Sequence, residues 1–93
     1  MANGYTFTFG KKIMDPEQLE AVMQRCFRLF PIESFVWGGA TFTRGNNLRI
    51  VTNANQLFEG KFMGLNNDNM VCLLTEEMII TQQVSTITEI HLV

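Results

Sequence analysis

The segment Gln56-Leu57-Phe58-Glu59-Gly60-Lys61-Phe62-Met63-Gly64-Leu65 decides how the rest of this sequence is read. Phe58, Gly60, Phe62 and Gly64 recur at every second position, and in a β-strand alternate residues share one face. Glycine weakens a strand unless the chain must bend there or receive another backbone closely. Two glycines alternating with phenylalanines therefore predict a strand that bends sharply, its aromatic rings filling the space the bend encloses.

Short apolar segments lie on both sides of it: FVWGGATFT and LRIVT upstream, MVCLL, MIITQQV and STITEIHLV downstream. Clusters of turn residues separate them at Gly45-Asn46-Asn47, Asn53-Ala54-Asn55, Asn66-Asn67-Asp68-Asn69 and Thr75-Glu76-Glu77. Strands this short, spaced about 8–12 residues apart, predict a strongly bent antiparallel sheet or small barrel, not a parallel sheet with crossover helices.

One helix precedes this β-rich stretch. Asp15 is placed as N-cap, Pro16 at the first helical position, Gln18 completes a capping box and Met14 can staple onto Leu19. Leu19, Val22, Met23, Cys26 and Phe30 form one apolar stripe, with Glu17, Glu20, Gln24, Arg25 and Arg28 facing water. Pro31 ends the helix, because the residue before proline is pushed out of helical geometry. The stripe predicts a helix covering one side of the sheet. Before it, YTFTF alternates as a short strand does, and Gly10-Lys11-Lys12 ends that strand.

Ninety-three residues with 46% hydrophobic and 17% charged side chains fit one globular domain. It spans 1–93, with the strand, helix and extension in 1–45 and the barrel core in 46–93. No apolar run approaches a membrane span, and the N-terminus lacks an export signal's pattern. The expectation is a cytoplasmic protein whose Cys26 and Cys72, 46 positions apart, stay reduced.

The catalytic inventory is thin. His91 is the only histidine and Asp15 and Asp68 the only aspartates, so neither a Ser-His-Asp nor a Cys-His arrangement is easy to build. No residues stand at metal-ligand spacing and no phosphate loop is present, so we expect no cofactor, no metal and no enzymatic activity. Glu76-Glu77 reads as a solvated hairpin tip, and Cys72 as a small core residue. A net charge of −2 counts against indiscriminate nucleic-acid binding. The charge is uneven, with residues 1–49 at +2 and residues 50–93 at −4.

A binding or scaffold role remains, and here the second half resembles the Sm/LSm family, including its bacterial Hfq branch, over about residues 46–92. Ile50 and Val51 match the apolar first strand of the first Sm motif, and Asn53-Ala54-Asn55 its turn. Phe58, Gly60, Phe62, Gly64 and Leu65 match the bent second strand, with Asn66 at the family's aspartate. Asn69-Met70 stand where the family has Met-Asn. Gln82-Gln83-Val84-Ser85-Thr86-Ile87 is similar to the Hfq segment Lys-His-Ala-Ile-Ser-Thr, with Thr81 and Gln82 replacing its Lys and His. The Arg-Gly of the eukaryotic and archaeal branches is absent.

The resemblance implies a mainly β fold with one helix: a small, strongly bent, antiparallel five-stranded Sm-like (SH3-like) barrel, carrying an N-terminal helix and, here, an extra N-terminal β segment. It implies a homomeric ring of roughly five to seven subunits joined by their edge strands, which also removes exposed β edges. It further implies that two turns bind single-stranded RNA, in preference to DNA, by stacking and base-edge hydrogen bonds. The matching positions are Asn66, Asn67, Asp68, Asn69 and Met70, with Thr81, Gln82, Gln83, Ser85 and Thr86. Amides offer both donor and acceptor to a base edge, and they equally suit plain turns.

An alternative contact face is basic: Lys11, Lys12, Arg25, Arg28, Arg44 and Arg49. The segment 31–48, with Trp37, Gly38-Gly39 and Phe42, is longer than the family's usual connection; an extra hairpin or a subunit contact fits it, with Trp37 packed rather than base-stacking. A different class of function also fits: a structural β-protein that assembles a phage or cellular particle by its edges and binds no nucleic acid.

Overall fold

The computed structural model describes the backbone of Gly4–Thr8 and all of residues 15–93. Helix α1 spans Pro16–Leu29 and begins as the sequence dictates. Asp15 is extended, its Oδ1 accepts the Glu17 amide at 2.8 Å and Pro16 occupies the first turn. At the other end the Phe30 amide donates to the Cys26 carbonyl at 2.8 Å, and Pro31 follows. Met14 and the turn expected at Gly10-Lys11-Lys12 lie outside the described residues.

Eight strands accompany the helix among the described residues: β1 Gly4–Thr8, β2 Ser34–Trp37, β3 Ala40–Thr43, β4 Asn47–Thr52, β5 Leu57–Leu65, β6 Met70–Leu74, β7 Met78–Gln83 and β8 Ile87–Leu92. Strands β2 and β3 form a separate hairpin, whose two-residue turn Gly38-Gly39 has φ of +59° and +80°. That pair of left-handed residues matches the twist of a tight hairpin, and glycine adopts it without a Cβ penalty.

The other six strands make one antiparallel sheet in the order β1-β7-β6-β5-β4-β8. Only the 3-10 turn Val84–Thr86 connects β7 to β8, yet three strands lie between them. In a flat sheet their separation would be about 19 Å. Four Cα steps from Gln83 to Ile87 reach about 15 Å at most. The sheet must therefore curl, and the nine-residue β5 carries much of the bend, with a register shift between Phe62 and Gly64. The curl does not close: β8 pairs with β4 and β1 with β7, and no ladder joins β8 to β1 or β7 among the described residues.

Two apolar clusters occupy the two sides of this sheet. The larger contains Leu48, Ile50, Phe62, Val71, Leu73 and Ile80, roofed by the hairpin through Phe42. Phe35 ties it together, with ring centroids 5.6 Å from Phe42 and 5.2 Å from Phe62, and Trp37 packs half-buried alongside. The smaller joins α1 to the sheet, Cys26 and Phe30 meeting Met63, Cys72 and Leu74.

Two expectations need correction. Gly64 does not share the face of Phe58 and Phe62: the register shift at 62/64 turns it toward the end of α1, where an added Cβ would lie 2.1 Å from the Phe30 carbonyl oxygen. The second concerns the expected five-stranded barrel: β1 pairs along β7 from Gly4–Gln82 to Thr8–Met78 as a sixth strand, and the sheet stays open at the edges of β1 and β8.

Candidate nucleic-acid interface

The bend in β5 brings three turns to one end of the molecule. The β5–β6 tip and the 3-10 turn are joined by the Met70–Gln83 pair and by the Val84 amide donating to the Asn69 carbonyl at 2.9 Å. The β4–β5 turn is fixed to the same 3-10 turn, the Asn53 amide donating to the Thr86 carbonyl at 2.7 Å. Both segments predicted to line a binding surface, 66–70 and 81–86, therefore meet.

Within the tip the asparagines divide by task. Asn66 Oδ1 accepts the amides of Asp68 and Met70, each at 3.0 Å, and is committed to holding the turn. Asn69 takes φ of +59°, a left-handed conformation asparagine tolerates, while its side chain is exposed. Asn67 and Asp68 are exposed and Met70 is half-buried.

On the second segment the expected residues are less accessible. Thr81 is fully buried, and Gln82 and Thr86 are 7% and 6% exposed. The Thr86 hydroxyl donates to the Gln83 carbonyl at 2.7 Å and lies 3.4 Å from Gln82 Oε1. Thr81 and Gln82, on the interior strand β7, and Thr86, in the 3-10 turn, thus belong to the wall behind the surface. Ser85 is exposed and Gln83 half-buried.

The sequence reading missed Asn53. It is exposed and anchored to the 3-10 turn, so it joins the same surface. Its signal was there in Asn53-Ala54-Asn55, but only the curl of the sheet brings that turn beside residues 84–86. The assembled surface presents Asn53, Asn67, Asp68, Asn69 and Ser85, a set of amide and hydroxyl donors and acceptors with one carboxylate. Residues 53–55, 66–70 and 81–86 include no lysine or arginine. Such a surface can read base edges but offers no cation to a phosphate.

Of the alternative basic residues, Arg44 and Arg49 are taken up by contacts within the chain. Lys11 and Lys12 lie outside the described residues, and Arg25 and Arg28 are exposed on α1. Arg49 pairs across the strands with Glu59, Nε to Oε1 at 2.7 Å. Arg44 is a structural clamp: its guanidinium donates to the carbonyls of Met63 at 2.7 Å and Phe30 at 2.8 Å. It also meets Glu33 at 3.1 Å and sits 4.5 Å from the centre of the Phe27 ring.

Elsewhere, His91 contacts the Glu89 carboxylate at 3.1 Å in the open, and Glu76 and Glu77 lie at an exposed tip. A cleft of about 520 Å³ lies beside α1, between Leu19 and Met23 on one side and Gly60, Lys61, Leu74 and Val93 on the other. Among the described residues no three His, Cys, Asp or Glu side chains converge as metal ligands, and no helix is long and apolar enough to cross a membrane. No protein-family model matches the chain, and comparison with curated proteins and with solved structures gives no match either.

Proposed function

We propose that this chain is an Sm-like, barrel-forming protein that assembles as a homomeric ring and binds single-stranded nucleic acid, RNA in preference to DNA, without catalysis. The observation that carries the reading is the meeting of the β5–β6 tip with the turn after β7, through the Asn69–Val84 hydrogen bond. The helix before the sheet, the sharply bent β5 and the three-residue return from β7 to β8 support it further.

Exposed Asn53, Asn67, Asn69 and Ser85 would read the edges of splayed bases, as single-stranded RNA presents them. Without cations at these turns, binding releases few counterions and weakens little as salt rises. Ring closure would use the outer edges of β1 and β8, which have no ladder partner among the described strands. Native mass spectrometry of the protein with short uridine-rich and adenine-rich RNA, and matched DNA, tests both halves. A ring of roughly five to seven copies carrying RNA in fixed ratio is expected. A monomer removes the ring, and a ring empty at every salt concentration removes the nucleic acid.

The absence of lysine and arginine from the three turns favours a second reading, a structural protein that uses the same edges to build a particle. An empty ring or a larger assembly is its expected result.

A further inference from the structure

Two thiols far apart in sequence meet beneath α1. Cys26 points from the helix and Cys72 from the middle of β6, 1% and 0% exposed, in the same small cluster as Phe30, Met63 and Leu74. Each thiol shifts the titration of the other, so the two sulfurs are neighbours within this cluster. Neither residue enters the proposed binding surface, and each is the other's polar neighbour in an otherwise apolar contact.

We propose that Cys26 and Cys72 form an oxidisable dithiol, closed by a hydroperoxide into a disulfide that staples α1 to the sheet. The roles of the two sulfurs differ. Contact with Cys72 holds the Cys26 thiol below its ordinary pKa; burial opposes that and the nearby Arg25 charge adds to it. Cys72 is pushed strongly upward by Cys26 and by burial, so it is the protonated partner. Cys26 lies on the partly sealed helix and Cys72 in an interior strand, so Cys26 is the sulfur a peroxide reaches first.

Its sulfur attacks the peroxide, the O–O bond breaks, water leaves, and Cys26 becomes a sulfenic acid. The Cys72 sulfur then attacks that sulfur, its proton leaves with the hydroxyl as a second water, and the S–S bond forms. Two thiols and one hydrogen peroxide give one disulfide and two waters. Access comes by movement of α1, whose sheet-facing stripe is only partly sealed: Val22, Met23 and Phe27 are half-buried and Leu19 is 38% exposed.

The test treats reduced full-length protein with a small excess of hydrogen peroxide, blocks remaining thiols, and maps tryptic peptides without reduction. Cleavage after Arg25, Arg28 and Lys61 isolates residues 26–28 and 62–93, whose linked mass, 2 Da below their sum, is the expected product. The linked protein should melt about 10 °C or more above the reduced form, since the bridge closes a long loop. Cys72→Ala should stop at a sulfenic acid on Cys26 that a cyclic dione traps. Cys26→Ser should leave Cys72 unoxidised. Two thiols still free for blocking in the treated wild-type protein would overturn the proposal, as would disulfides formed only between molecules. The wild-type peptide map decides even if either variant fails to fold.

Discussion

The two sides of β5 are built on different principles. On one side Phe62 and Leu65 enter a broad cluster with Leu48, Ile50, Val71, Leu73 and Ile80, where many side chains share the burial and a hairpin closes the top. On the other, Met63 and Gly64 receive the end of α1 over a cluster of five buried residues, two of them cysteines. The broad side depends on area, and any one residue is one contributor among many. The narrow side depends on a few close approaches, so single changes there decide whether the helix docks at all.

The sharpest way to break that contrast is to compare the two glycines of β5. A Cβ at Gly64 would lie 2.1 Å from the Phe30 carbonyl oxygen, and its φ of +149° is already unfavourable for other residues. The same junction carries the paired hydrogen bonds between Ile32 and Leu65, at 2.9 and 3.0 Å. Gly64→Ala should push α1 away and cost about 4 kcal/mol, by the clash and the lost pairing. At Gly60 the nearest atom to a new Cβ is the Leu74 carbonyl oxygen at 3.0 Å, with two side-chain atoms beyond it, and the predicted cost is about 1 kcal/mol. Urea unfolding of both variants measures the difference; equal losses would mean that the helix is not seated on Gly64.

A smaller effect is expected at Arg44, which clamps the narrow side from outside. Replacing it with methionine keeps a flexible apolar stem over Phe27 but removes the donors to the Met63 and Phe30 carbonyls. The expected loss is about 2 kcal/mol. Glu33→Gln, which removes only the exposed partner of the ion pair, should cost under about 0.5 kcal/mol. If both variants lose the same amount in urea unfolding, the ion pair and not the carbonyl contacts holds the clamp.

The broad side was legible in the sequence because period-2 patterns and turn chemistry are local. The turns at 45–47, 53–55, 66–69 and 75–77 separate the strands as read, and the Asp15–Pro16 start of α1 is where its capping residues put it. The narrow side was not, because it consists of meetings between distant segments. Nothing local tells that Gly64 faces Phe30, that Cys26 meets Cys72, or that Arg44 reaches two carbonyls instead of a ligand. The candidate interface falls between these cases: both its segments were named as turns that converge, but the burial of Thr81, Gln82 and Thr86 is set by how distant strands curl around the core, which no local pattern carries.

The smallest effects on stability are expected at the tip of that interface, where they separate turn-forming asparagines from exposed ones. Asn66→Ala removes an acceptor shared by two amides and should cost about 1 kcal/mol, loosening the tip that carries its neighbours. Asn67→Ala removes an exposed side chain in the same turn and should leave the unfolding free energy in urea within about 0.5 kcal/mol of wild type. Oligonucleotide binding should respond in a different proportion. If bases are read at this surface, Asn67→Ala with Ser85→Ala weakens binding while stability stays level, since neither residue is buried. If binding falls only with Asn66→Ala, in step with its stability, the amides serve the turn alone and the contact lies elsewhere.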